Sequence, residues 1–230
     1  MGKKSVIIIG AGIAGLSAGC YAGMNGYHAR VFEAHSLPGG LCTSWNKGGY
    51  TIDGCIHWLV GTKPHTDMNA MYLELGALQG NKVVNHEEFL RIVHPSGKTL
   101  ILYADADRLE KHMLELDPLD EPVIKEFCSA IRDFSKMDIA NMKPKELMDF
   151  SDMLHLAPML PYMGKMKKYG SQTAKEFVEK FKDPVMKDMI TNIVPIPEFP
   201  ILLVIMMMSF QHAQNAGYPL GGSLEFSKAI

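Results

Sequence analysis

An α/β fold is predicted by three observations. A β-branched run, Val6-Ile7-Ile8-Ile9, feeds straight into Gly10-Ala11-Gly12-Ile13-Ala14-Gly15. A second apolar stretch, Arg30-Val31-Phe32, closes on the acid Glu33. Beyond about residue 72, helical spacing replaces the glycine-rich, strand-forming character of the start. The first two describe a strand, a glycine turn, a helix and a second strand, the Rossmann-like unit that binds dinucleotides. The third predicts an inserted α+β, mostly helical domain. The expected division is residues 1–72 for the N-terminal part of the nucleotide domain, 73–215 for a substrate-binding or cap domain, and 216–230 for the start of the return into the nucleotide domain.

Each glycine of the first turn has a separate physical task. Gly10 permits the tight turn, Gly12 lets a pyrophosphate approach bare backbone at a helix N-terminus, and Gly15 lets the helix pack closely on the strand. Glu33, about twenty residues on, is placed to accept hydrogen bonds from the adenosine ribose and would repel a 2′-phosphate. FAD or NAD therefore fits, and NADP fits poorly. Lys3-Lys4 and the apolar residues up to Cys20 also resemble a secretory leader, but that reading leaves the glycine spacing unexplained. Met1-Gly2 lacks a Ser or Thr at position 6, which argues against N-myristoylation.

A second glycine pair, Gly39-Gly40, follows in Leu37-Pro38-Gly39-Gly40-Leu41-Cys42. Without Cβ atoms its backbone can run close to a ligand or take positive φ, and a plain turn would explain it as well. A long, extended FAD needs such a further close approach, whereas a plain NAD-binding unit does not. Asp53 either orders the turn before Gly54 or serves the site, and His57, beside Trp58 and Leu59, is either a structural histidine or a contact near the cofactor.

In the middle of the chain, Leu90–His94 and Thr99–Tyr103 read as two strands joined by the turn Pro95-Ser96-Gly97-Lys98. Asp120 is expected to cap a helix with Pro122 in its first turn, and Ile124, Phe127, Cys128, Ile131 and Phe134 recur on one helical face. Thr173 and Glu176 form a capping box, and Asp183-Pro184 stops that helix and starts another carrying Met189, Ile190 and Ile193. Methionine is abundant, 17 residues, crowded into the second half at 153, 159, 163, 166, 186, 189 and 206–208. Its pliant thioether serves as core filler or as lining for a long apolar substrate. Met153 to Lys168 mixes Leu154, Leu156, Met159, Leu160 and Met163 with three lysines and could lie on a membrane surface, although Pro158 and Pro161 are expected to break a continuous helix there.

Bulk properties exclude other classes. The chain has 230 residues, 47% of them hydrophobic, with a formal net charge of −2 and no long basic block, so nothing favours nucleic acid as a partner. Cys20, Cys42, Cys55 and Cys128 show no metal-ligand spacing and are expected to be reduced thiols in a cytoplasmic protein, with peripheral membrane contact as an added feature. The longest apolar run, Ile201 to Met208, is far shorter than the roughly 20 residues of a membrane span.

On these motifs the chain resembles the phytoene desaturase and carotenoid isomerase branch of FAD-dependent oxidoreductases. Ile8 to Ala18 is similar to that family's nucleotide fingerprint, and Phe32-Glu33-Ala34 with Pro38-Gly39-Gly40 to its ribose acid and second glycine motif. Gly49-Tyr50-Thr51-Ile52-Asp53-Gly54-Cys55-Ile56-His57 resembles the segment that follows, and Tyr218 to Phe226 the return from the substrate domain. The resemblance implies FAD as cofactor, held by Gly10, Gly12, Ile13, Ala14, Gly15, Glu33, Ala34, Gly39, Gly40, Leu41 and His57, with no metal and no assigned catalytic side chain. It implies an apolar isoprenoid or lipid-like small molecule as substrate, desaturated, saturated or isomerised at a carbon–carbon double bond. It further implies that the C-terminal part of the FAD domain lies beyond this sequence, so that the activity belongs to a longer parent. An amine-oxidase-like or porphyrinogen-oxidase-like flavoenzyme, or a non-catalytic dinucleotide-binding fragment, are the alternatives.

Overall fold

The computed structural model describes residues 4–80, 82–137, 145–149, 157–193 and 196–230. The polypeptide forms two compact units, one of residues 1–84 with 216–230 and one of residues 85–215.

The first unit opens with β1 (Ser5–Ile9), α1 (Ile13–Met24) and β2 (His28–Phe32), and β1 and β2 pair in parallel from Ser5↔His28 to Ile9↔Phe32. Parallel neighbours need a crossover, which α1 supplies. Its close seating depends on Gly15, where an added Cβ would lie 1.9 Å from the Gly10 carbonyl oxygen and 3.4 Å from Ile8 Cγ2. Next, β3 (Ser44–Lys47) and β4 (Tyr50–Asp53) form an antiparallel hairpin. Its loop is Gly48-Gly49, with φ of +59° and +83°, the positive pair that a two-residue turn matched to strand twist requires.

A further sheet has the order β5 (Leu59–Val60), β9 (Ala216–Pro219), β6 (Val83–Val84), both outer strands antiparallel to β9. The expected boundary at residue 72 falls inside α2 (Asp67–Glu74), and residues 73–84 stay with the first unit because β6 pairs there with β9. Two short strands carry too little periodicity to read from sequence. Helix α2 starts at Thr66, whose hydroxyl accepts from the Asn69 N–H at 3.3 Å. The small core of this unit is Cys42, Ile56, Ala77, Leu78 and Phe226, with Tyr72 edge-on to Phe226 at 5.6 Å. Phe226 comes from α9 (Gly222–Ala229).

The second unit begins with the hairpin β7 (Glu88–Val93) and β8 (Thr99–Tyr103), closed by hydrogen bonds from His94 N–H to Lys98 O and Gly97 N–H to His94 O. Helices follow: α3 (Ala106–Leu116), α4 (Glu121–Phe134), α5 (Leu160–Gly170), α6 (Ala174–Val178), α7 (Pro184–Thr191) and α8 (Ile201–His212). The stripe Ile124, Phe127, Cys128, Ile131 and Phe134 is buried along α4, in one core with Leu100, Leu102, Phe177, Ile201 and Ile205. Ser209 ties α8 to α4 by sharing its one hydroxyl hydrogen between the carbonyls of Ile205 and Ile131, at 2.6 and 3.0 Å. The capping box at Thr173 and Glu176 is present in both directions, and Asp183 caps α7 by accepting from Met186 N–H at 2.8 Å.

One local expectation is corrected. Asp120 stands at the start of α4 but does not cap it with its side chain; Oδ2 instead accepts from the N–H groups of Lys182 and Asp183 at 2.6 and 2.9 Å. A distant turn competes for the carboxylate and wins. As expected, no α-helix runs through both prolines in the described part of the lysine-bearing segment: Pro158 lies in the tight turn Ala157–Met159, and Pro161 in the first turn of α5, where its missing N–H costs no helix bond. Met153, Leu154 and Leu156 lie outside the described residues. Met186, Met189 and Met208 are fully buried core filler. The apolar void beside this core, lined by Met113, Phe127, Phe177 and Ile201 among others, measures about 10 Å³, room for one water at most. Among the described residues no helix is long and apolar enough to cross a membrane.

Candidate functional site

The site is built in the first unit where β1 ends. Gly10 takes φ +98°, which only glycine adopts without strain, and its N–H donates to Phe32 O at 2.7 Å, so the turn is tied to the end of β2. The chain then enters α1 through Gly12 at φ −67°, ψ 172°, with no side chain capping the helix and no acid in its first turn. The first N–H groups of a helix have no partner within it, and they carry the positive end of the helix dipole. Beside the helix start there is open space, for a Cβ added at Gly12 would have nothing within 4 Å. Ile13, Ala14 and Gly15 form the turn that presents them.

The second glycine pair returns to this loop. Gly39 N–H donates to Ala11 O at 2.7 Å, Gly12 and Gly39 form an isolated parallel bridge, and a Cβ on Gly40 would lie 3.2 Å from Gly12 Cα. Both glycines have positive φ, +108° and +61°. Gly39 also has no room for a side chain, since a Cβ would lie 2.5 Å from the Ser227 hydroxyl. The two glycine segments, well separated in sequence, therefore make one backbone cradle. Ala34 is exposed, Leu41 is 91% exposed and His57 is exposed; none takes part in the contacts that join the two segments.

Glu33 stands at the tip of β2 and is already engaged. Its Oε2 accepts from Ala11 N–H at 2.6 Å and its Oε1 from His35 N–H at 2.8 Å. Those donors, His35 first and then Ala11, hold its pKa below the usual carboxylate range. Each oxygen keeps a second lone pair for an incoming hydroxyl. The acid thus fixes the loop and faces outward as an anion at neutral pH.

Asp53, read from sequence as a turn-ordering residue or a site residue, does more than order its own turn. Oδ1 accepts from the N–H groups of Cys55 and Ile56 at 3.0 and 3.2 Å and from the Ser223 hydroxyl; Oδ2 accepts from the Tyr218 hydroxyl and the Ser223 N–H at 3.0 and 2.8 Å. Gly222 leaves the room, since a Cβ there would meet both Asp53 Oδ2 and the Tyr218 hydroxyl. Burial pushes the Asp53 pKa up, and the bonds from Ser223, Cys55 and Tyr218 outweigh it, so the net direction is down. A carboxylate whose folded pKa is depressed adds stability above its unfolded value, near 4, and loses it as pH falls through the folded value. Asp53→Ala is therefore expected to lower stability by about 2 kcal/mol at pH 7, the scale of charged hydrogen bonds lost at one carboxylate, and to flatten the acid limb below about pH 4. Urea unfolding at pH 7 and pH 3 measures both; equal losses at the two pH values would refute the assignment.

Comparison with known proteins agrees with this geometry. Residues 8–75 match the NAD(P)-binding Rossmann-like domain. Phytoene desaturase (lycopene-forming) of Paracoccus sp. (strain N81106 / MBIC 01143) is 28% identical over 191 residues, covering 80% of this chain and 36% of that protein. Over that stretch the chain is similar to this desaturase. Prolycopene isomerase 1, chloroplastic, of an Oncidium hybrid cultivar is 22% identical over 242 residues, covering 99% of this chain and 40% of the isomerase. The chain thus spans well under half the length of these relatives. Its fold is shared with a solved putrescine oxidase at a TM-score of 0.55 and 16% identity, over 99% of this chain and 48% of the oxidase. Among the described residues no cluster of three or more His, Cys, Asp or Glu could hold a metal.

Proposed function

We propose that the first unit binds FAD and that the protein is an FAD-dependent oxidoreductase acting on carbon–carbon double bonds of an apolar isoprenoid or lipid-like substrate. The observation that carries the cofactor assignment is the double glycine cradle, in which Gly39 N–H is bonded to Ala11 O and Gly40 packs on Gly12 beside an uncapped helix N-terminus. Gly12, Ile13, Ala14 and Gly15 would hold the pyrophosphate, with Gly39 and Gly40 closing the groove and Glu33 receiving the ribose hydroxyls. Ala34, Leu41 and His57 belong to the same reading as flanking contacts. When bound, the flavin supplies hydride transfer, and the protein supplies binding, orientation and exclusion of water.

The substrate class is supported by the names of the relatives, phytoene desaturase and prolycopene isomerase. Exposed Leu160 and Met163 on α5, with Lys165, Lys167 and Lys168 on the same helix, support peripheral contact with a membrane. Titration with FAD and with NAD, followed by quenching of flavin fluorescence and by calorimetry, tests the cofactor. FAD is expected to bind the more tightly, and preference for NAD would overturn the reading. Glu33→Ala is expected to weaken FAD by about 1–3 kcal/mol, the scale of a lost charged hydrogen bond; unchanged affinity would place the ribose elsewhere.

A further inference from the structure

The two halves of the segment after the cradle bring a pair of thiols together. Antiparallel pairing of β3 with β4 runs Lys47↔Tyr50, Asn46↔Thr51, Trp45↔Ile52 and Ser44↔Asp53. It continues one step further through the hydrogen bond from Gly54 N–H to Thr43 O at 2.9 Å. Carried one step past that bond, the same register aligns Cys42 with Cys55, where the chain on the first side is already turning. Residues directly opposite on antiparallel strands have Cα atoms about 4.5–5.5 Å apart, inside the range a disulfide spans. The thiols differ in character: Cys55 is exposed, whereas Cys42 is buried, with its Sγ 3.4 Å from Ser223 O. Burial pushes the Cys42 thiol up to about 11, and the neighbouring Cys55 sulfur adds to that rise, which agrees with the two groups being in contact.

We propose that Cys42 and Cys55 form a redox-sensitive dithiol that peroxide converts into an intramolecular disulfide. Nothing in this depends on the cofactor reading, because it rests on the hairpin register carried one step further and on the nearness of the two sulfurs. Exposed Cys55 is the attacking group, since the thiolate is the nucleophile and the buried Cys42 remains protonated. The Cys55 thiolate attacks one oxygen of hydrogen peroxide and displaces hydroxide, which takes a proton and leaves as water. Cys55 is then a sulfenic acid. The Cys42 sulfur attacks that sulfur, gives up its proton, and releases the hydroxyl as a second water. Two thiols are oxidised by two electrons, and one peroxide is reduced to two waters. The new bond would tie the residues after Gly39-Gly40 to the loop anchored by Asp53.

Treatment of the chain with hydrogen peroxide, alkylation of remaining thiols, and non-reducing tryptic mapping tests the proposal. Cleavage after Lys47 separates the two cysteines, so a disulfide joins two peptides that are otherwise free. The expected result is a linked Cys42–Cys55 pair, reversed by a phosphine reductant, while buried Cys128 remains a thiol. In Cys42→Ser, Cys55 is expected to stop at the sulfenic acid and be trapped by dimedone; in Cys55→Ser no internal link forms. Cys55 paired between chains, Cys55 left as a thiol, or Cys55 overoxidised in wild type with Cys42 still reduced would each overturn the proposal. The wild-type map decides the matter even if one variant folds poorly.

Discussion

Gly12→Val is expected to leave the fold intact and to abolish flavin binding. The substituted residue would sit at φ −67°, which any L-residue adopts, with no protein atom within 4 Å of its Cβ. Replacing a glycine at a compatible φ, ψ even stabilises slightly, by about 0.4–1 kcal/mol, through the unfolded chain. The space it fills is the space assigned to the pyrophosphate. Loss of the backbone approach there is expected to weaken FAD at least about 100-fold, near 3 kcal/mol. The measurement is paired: the urea midpoint should move little while the flavin dissociation constant rises sharply. A midpoint that collapses together with binding would mean that Gly12 serves packing, and unchanged binding would move the pyrophosphate elsewhere.

Gly15→Ala is expected to do the reverse to the fold. Three residues further along, on the same helix, a Cβ would lie 1.9 Å from the Gly10 carbonyl oxygen. Helix propensity alone would favour alanine by about 1 kcal/mol. The clash is with backbone, not with the free end of a side chain, so relief requires α1 to move off β1, and overpacking of that kind costs about 1–3 kcal/mol or more. The clash wins, and a net loss of about 2 kcal/mol is expected in urea unfolding. Gly15→Val should lose more. A variant at position 15 as stable as wild type would show that helix and strand are not pressed together as the structure has them.

These opposite outcomes arise from two glycines of one short motif, and the sequence distinguished their tasks. The reason is locality: the turn, the helix start and the close packing all lie within a few residues, where glycine has few competing explanations. The stripe on α4 and the capping box at Thr173 were legible for the same reason, since period and cap are short-range signals. Long-range choices were not legible. Nothing in Asp120 announces that the turn at Lys182 will claim its carboxylate. Nothing in Glu33 announces that Ala11 N–H will already occupy one of its oxygens. Of the site residues, the glycines come together as a cradle, and the contribution of Ser227 beneath Gly39 carried no sequence signal because a serine in a helix is unremarkable by composition. The outer strands β5 and β6 were invisible as well, each being two residues long.

The place of β9 in its sheet bears on how the first unit can form during synthesis. This strand is the middle member of the sheet β5-β9-β6, and Asp53 closes onto Ser223 just beyond it, so the first unit depends on partners made only after residues 85–215. Residues 85–215, rich in short-range helical contacts, are free to fold during synthesis, whereas the amino-terminal segment must wait with its sheet unfinished. A stalled or prematurely released chain would therefore present an assembled helical body attached to an open nucleotide loop, a form that chaperones and proteases would be expected to meet first.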